Sequence, residues 1–274
     1  MNKVFNRLAV ICCSMFIPVA AFAVDGTVLI NQTNAIMGGV TPGDTPGFPV
    51  TISQTGSYKL SSNLVVPNEN TTAIVITADG VSLDMNGFSI IGPTVCNGAQ
   101  FKPTTSCAPL SSLPESGIGI IVGLVNGVSI SNGTIRGMGN DGIEVGGAGA
   151  RIDRVNALAN GGTGISTNGI TTNSTALFNL SAGFSFGGTA LGNVAQSNGN
   201  AGFSGTGVTR NNQASSNGND GIQVRGVIAD NLAFGNSGSD IHAACGSTVI
   251  GNVGNVAFFN TTGAGCVTSD NANP

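Results

Sequence analysis

Charge is what this 274-residue sequence has least of. Asp, Glu, Lys and Arg make up 8% of it, against roughly 25% in ordinary globular domains. Tryptophan is absent, and there is one tyrosine, Tyr58, and one histidine, His242. The nine Lys and Arg include Lys3 and Arg7 near the N-terminus, too few for the basic stripe that neutralises nucleic-acid phosphates. Scarcity of charge is not disorder either. Disordered chains combine low hydrophobicity with high net charge, whereas here apolar residues are 41% and the formal net charge is -4. No membrane span is expected: the apolar run 8–23 is broken by Ser14 and Pro18 and falls short of the ~20 residues needed to cross a bilayer. No cofactor is implied. Asp84-Met85-Asn86-Gly87 has a calcium-like spacing but lacks the further carboxylates of a calcium loop.

The basic start, the apolar run and the ending Ala21-Phe22-Ala23 read as a signal peptide over 1–23, with the mature chain starting at Val24 in a secreted or periplasmic setting. Ile11 before Cys12 and Cys13 is too large for a lipidation site. The mature chain keeps Cys96, Cys107, Cys245 and Cys266, an even number in a compartment where disulfides persist.

What the sequence does have is glycine, 43 residues of it, and a repeat. From about residue 150 to 255 a 19-residue period aligns five columns. Alanine recurs at Ala157, Ala176, Ala195, Ala214 and Ala233. Asparagine recurs at Asn160, Asn179, Asn198, Asn217 and Asn236, and again at Asn255. Glycine recurs at Gly164, Gly183, Gly202 and Gly221, each followed by a large apolar residue, Ile165, Phe184, Phe203 and Ile222, with Ile241 continuing that column. A second glycine column runs Gly169, Gly188, Gly207 and Gly226, with Cys245 in the following place. Self-similarity of this kind marks a solenoid, and the unit is too short and too poor in helix formers for a helical one. The fold expected is all-β, a single-stranded parallel β-helix of about 19–22 residues per rung. In such a coil the Ala and Ile/Phe columns stack inward about 4.8 Å apart, the asparagines form an amide ladder, and glycines supply positive φ at corners.

The organisation expected is a lead-in and cap over 24–72, the coil over 73–260 and a C-terminal tail over 261–274. Within the coil, the Pro-rich stretch 92–116 breaks the period and reads as an excursion. A Cys96–Cys107 bridge would close it. Cys245 and Cys266, about one rung apart, would form the second bridge.

The residues from Gly80 to Ile90 (GVSLDMNGFSI), then Gly133-Thr134-Ile135-Arg136-Gly137 and the Asn/Gly rungs, resemble the pectin-lyase-like superfamily of right-handed parallel β-helices. The lead-in, with Gly43-Asp44-Thr45-Pro46-Gly47 and Gly56-Ser57-Tyr58-Lys59-Leu60, is similar to small secreted members without assigned activity. That resemblance implies the fold and an extracytoplasmic carbohydrate context. The family's catalytic patterns are missing: there is no Asn-Thr-Asp, Gly-His-Gly or Arg-Ile-Lys, and Trp-x-Asp-His requires a tryptophan.

Glycoside hydrolysis needs two carboxylates converging on one bond. Projected on the period, Glu144 and Asp220 share a column four rungs apart, and Asp153 and Arg210 share another three rungs apart; neither makes a site. The densest group of charges is Arg136, Asp141, Glu144, Arg151, Asp153 and Arg154, the candidate binding surface, which its solvated charges alone could also explain. His242 shares a column with Ser166, Ser185, Ser204 and Gln223 and reads as a surface histidine. The function expected is non-catalytic binding of a polysaccharide or cell-surface component along an Asn/Ser/Thr-lined side. A polysaccharide lyase or hydrolase with an unfamiliar site, and a structural or assembly role, are the alternatives.

Overall fold

The computed structural model describes residues 26–113, 115–259 and 267–272, so the segment 1–23 expected to be a signal peptide and Cys266 lie outside the described residues. The chain winds into a parallel coil with three strand faces. Face A stacks Val50–Ile52, Ile74–Ile76, Ile120–Val122, 143–145, 165–167, Phe184–Phe186, 203–205, 222–224, Ile241–Ala244 and Val256–Phe259. Face B runs from Val28–Ile30 through Gly56–Leu60, Val81–Asp84, 129–131 and 151–153 to Thr248–Ile250 and Val267–Ser269. Face C runs from Leu64–Val65 through Ser89–Ile91, 134–136 and Thr175–Leu177 to Leu232–Phe234. Strands at 28–30 and 267–269 thus carry the coil into the segments expected to be cap and tail. The helix Gln32–Met37 sits at the first end, its N-terminus capped by the Asn31 side chain, which accepts from the Asn34 N–H.

The inward columns are those of the repeat. Ala157, Ala176, Ala195, Ala214 and Ala233 are fully buried and in register. Ile165, Phe184, Phe203, Ile222 and Ile241 stack likewise. The Phe184 and Phe203 rings lie 4.8 Å apart and nearly parallel, the rung spacing itself.

The asparagine column is a ladder with every amide position used. Asn179, for example, donates from Nδ2 to Asn198 Oδ1 at 2.9 Å and to Ala157 O at 3.0 Å. Its Oδ1 accepts both the backbone N–H and the Nδ2–H of Asn160. Two donors and two lone pairs are the full capacity of a carboxamide. The same pattern links Asn198, Asn217 and Asn236. The column does not continue to the Asn255 side chain: Asn236 Nδ2 donates to the Asp240 carboxylate at 3.0 Å, and the other Asp240 oxygen accepts the Asn255 N–H at 3.3 Å. A second ladder joins Asn193, Asn212, Asn231, Asn252 and Asn271 on the opposite side of face C.

Glycine has two roles. It supplies positive φ at corners such as Gly87, Gly137, Gly192, Gly235 and Gly251 and at Gly207 and Gly226 of the second column. In the regular array, however, most corners before the ladders fall to other residues, Arg154, Asn173, Asn211 and Asp230 before one and Ala159, Phe178, Ser197 and Ser216 before the other. Gly183 and Gly202 have no positive φ. Each lies so close to the next rung that an added Cβ would fall 2.7 or 2.6 Å from a carbonyl oxygen, that of Gly202 or Gly221. The place after Gly226 belongs to Ser247, whose Oγ accepts the Gly226 N–H. Cys245 and Gly246 are a two-residue insertion ahead of it, because Val227 pairs with Thr248 rather than with the residue 19 further on.

The excursion is a hairpin pairing Val95–Cys96 with Cys107–Ala108, closed by the Cys96–Cys107 disulfide. The expected Cys245–Cys266 bridge lies outside the described residues, and Cys245 is not a free thiol.

Candidate functional site

Face A presents one outward residue per rung, between two buried ones in the rungs from Val50 to Thr167 and in most of those that follow, and register fixes that row as Thr51, Val75, Ile121, Glu144, Ser166, Ser185, Ser204, Gln223, His242 and Ala257. After the apolar Val75 and Ile121 comes a run from Glu144 to His242 that is polar at each step and half-buried throughout. Six rungs at about 4.8 Å make this run roughly 24 Å long. Among the described residues, Ser166, Ser185, Ser204 and Gln223 make no side-chain hydrogen bond within the chain, in contrast to the saturated ladder amides.

The hairpin borders the row. It packs against the turns that lead into face A, with Ser111 N–H donating to Gly139 O at 2.9 Å, Gly98 against the Phe178 ring, and Thr104 donating from N and Oγ1 to Ser197 O at 3.1 and 2.9 Å. Pro103 reaches Gly218. On the other side, the bend into face B carries Asn168, Gly187, Thr206 and Arg225, the last two paired in register.

Each end of the polar run holds a carboxylate set in the preceding turn. Asp141 Oδ1 accepts the N–H of Thr163 at 2.6 Å, and Asp220 Oδ1 accepts that of Ser239 at 2.8 Å. Asp220 therefore occupies the column of Asp141, not of Glu144. The rung from Ile143 to Ile165 has 22 residues, with its three extra ones in the bend between faces A and B, and they shift a projection made on 19. Burial and the neighbouring Glu144 charge push the Asp141 carboxyl up to about 6 against the pull of the Thr163 N–H. At the far end Asp220, buried, takes His242 Nδ1 at 2.7 Å, so His242 is half-buried beside a carboxylate rather than a plain surface histidine.

The six charges expected as one surface divide among three sides. Asp141 and Glu144 belong to face A. Arg136 is exposed on face C, between Ile91 and Leu158. Arg151 is exposed on face B beside Asp153, and Arg154 stands at the corner. There Arg154 joins Asp153 Oδ2 at 2.6 Å and Asn132 Oδ1 at 2.8 Å. The Thr172 hydroxyl, then Asn173 and the two arginines, hold the Asp153 carboxyl below its usual range against some desolvation. Asp153 and Arg210 do share a column three rungs apart, and Arg210 pairs with Asp230 instead. Asp84 is taken up by Asn86, Asn132 and Lys59. Tyr58 is packed inward, its hydroxyl donating to Gln54 O.

A cavity of about 1080 Å³ lies at the first end, lined by Val40, Asp44, Gln54 and Tyr58 among others. Both Asp44 oxygens are occupied by backbone N–H groups of Val40 and Thr51. Among the described residues no helix is long and apolar enough to cross a membrane, and no three His, Cys, Asp or Glu side chains are grouped to hold a metal ion.

Three parallel faces, side-chain ladders and rungs of 19–22 residues through the regular array define a parallel β-helix. Among solved structures the chain is similar to the Dettilon tailspike protein, with TM-score 0.52 and 17% identity over 81% of this chain and 50% of that one. It is also similar to the A-module of the Azotobacter vinelandii mannuronan C-5 epimerase AlgE4, with TM-score 0.50 and 16% identity over 92% of this chain and 85% of that one. The chain spans half the length of the tailspike. No family model and no curated protein matches it. At these identities the likeness establishes the fold.

Proposed function

We propose that this protein is a secreted or periplasmic, non-catalytic β-helix that binds a glycan chain along the polar row of face A. The observation that carries the reading is the run of hydroxyl and amide side chains at Ser166, Ser185, Ser204 and Gln223, half-buried, bordered by the hairpin and without partners among the described residues. Partly buried polar groups favour hydrogen-bonding partners, and a linear row at rung spacing fits a linear ligand. One similar structure is a mannuronan epimerase, which supports a polysaccharide partner by analogy of fold. The disulfide supports an oxidising compartment.

Retention on a polysaccharide panel tests this against the dispersed arginines. Ser185→Ile together with Ser204→Ile, tolerated in a strand, should lower retention at least tenfold, while Arg136→Ala, Arg151→Ala and Arg154→Ala combined should not. The opposite pattern would move the ligand to the charge cluster. A second reading, an enzyme acting on the same row, is favoured by one observation, the buried Asp220 that orients His242, as carboxylates orient catalytic imidazoles. Release of reducing ends or of unsaturated products, lost in His242→Gln, would establish it.

A further inference from the structure

The charges around the row bear on which glycan it takes, given the binding reading above. From Glu144 to Ser204 the row crosses four rungs, and no lysine or arginine stands on it. Of the nearby cations, Arg225 stands in the bend two residues after Gln223, and Lys102 precedes Pro103, which meets Gly218 in the same rung. At the opposite end stand Asp141 and Glu144, close enough that the Glu144 charge raises the Asp141 carboxyl. A polyuronate carries a carboxylate on every sugar. Laid along the row it would bring those carboxylates into a half-buried strip with nothing to pair them, and unpaired charges removed from water are costly. Its end would also meet two carboxylates, and like charges in contact repel. Hydroxyls, by contrast, both donate to and accept from serine and glutamine.

We propose that face A selects a glycan chain free of carboxylates, with amino groups tolerated or favoured at the Asp141–Glu144 end, and rejects polyuronates. The probes are hexamers of β-1,4-glucan, chitosan, mannuronate and galacturonate, titrated calorimetrically into the full mature chain at pH 7.5 in low and high salt. A neutral or amino hexamer is expected to bind at least tenfold more tightly than either uronate. Asp141→Asn with Glu144→Gln should narrow that gap at least threefold by strengthening uronate binding, more at low salt than at high salt.

A uronate hexamer bound as tightly as the neutral one, with binding still lost in the Ser185→Ile/Ser204→Ile variant, overturns the selectivity while leaving the binding site in place. Binding insensitive to the serine pair removes the site, and no binding of any hexamer retires both readings. A gap unchanged in the Asp141→Asn/Glu144→Gln variant also counts against carboxylate repulsion as its cause.

Discussion

Asp141 shows how a single side chain is set by its place in the coil. Its carboxylate is drawn into a turn to accept the Thr163 N–H, where burial and Glu144 lift its pKa from 3.8 to about 6. The native state thus keeps this proton to higher pH than the unfolded chain does. Between the two values the native state binds more protons, so stability falls as pH rises from about 4 through 6. Asp141→Asn keeps the Oδ1 acceptor and removes the charge. It is expected to stabilise the protein at pH 8 by on the order of 2 kcal/mol, with the gain vanishing by pH 4. Thermal unfolding at the two pH values checks this, and an equal gain at both would rule out ionisation as the source.

At the scale of the element, the ladders hold the turns as the Ala and Ile/Phe stacks hold the strands. Asn198 makes four side-chain bonds inside the coil. Asn198→Ala leaves the Asn179 N–H and one Asn179 amide hydrogen buried without partners, and each such group costs ~1–3 kcal/mol. A loss of about 3 kcal/mol or more is expected in denaturant unfolding, against less than about 0.5 kcal/mol for Asn219→Ala on the exposed turn. Gly202→Ala should cost about 1–3 kcal/mol by a different route, the clash of its Cβ with Gly221 O. The first ladder could be read from the sequence because it keeps a strict 19-residue step. The second could not: it begins at Ser174 and takes a 21-residue step from Asn231 to Asn252, absorbing the Cys245-Gly246 insertion.

Over the whole molecule, contacts run from each rung to its neighbours, so stability is expected to be largely local. The hairpin joins the coil from the side. Cys96→Ser with Cys107→Ser, or reduction, is therefore expected to raise amide exchange over 95–108 and at Leu180 and Gly199 while leaving the main thermal transition within a few degrees. A collapse of that transition would make the hairpin part of the core. The columns, the excursion and its disulfide were legible in the sequence because each follows from spacing. The candidate site was legible only in part. The row from Ser166 to His242 was visible as a polar column, but Glu144 and Asp220 were assigned by a 19-residue projection across a 22-residue rung. The six-charge cluster drew together residues that neighbour one another along the chain yet point from three faces.

The amide ladder also has a direction. In each amide one Nδ2–H donates to the Oδ1 of the following rung and Oδ1 accepts from the preceding one, so the side-chain bonds from Asn160 to Asn236 run head to tail, with the donor, positive end toward the C-terminus. An anion is what such an end attracts, as at the start of an α-helix, and Asp240 supplies it. The two ends of the coil are therefore electrically distinct, and a rung duplicated within the array would extend that field only if inserted upstream of its terminating carboxylate.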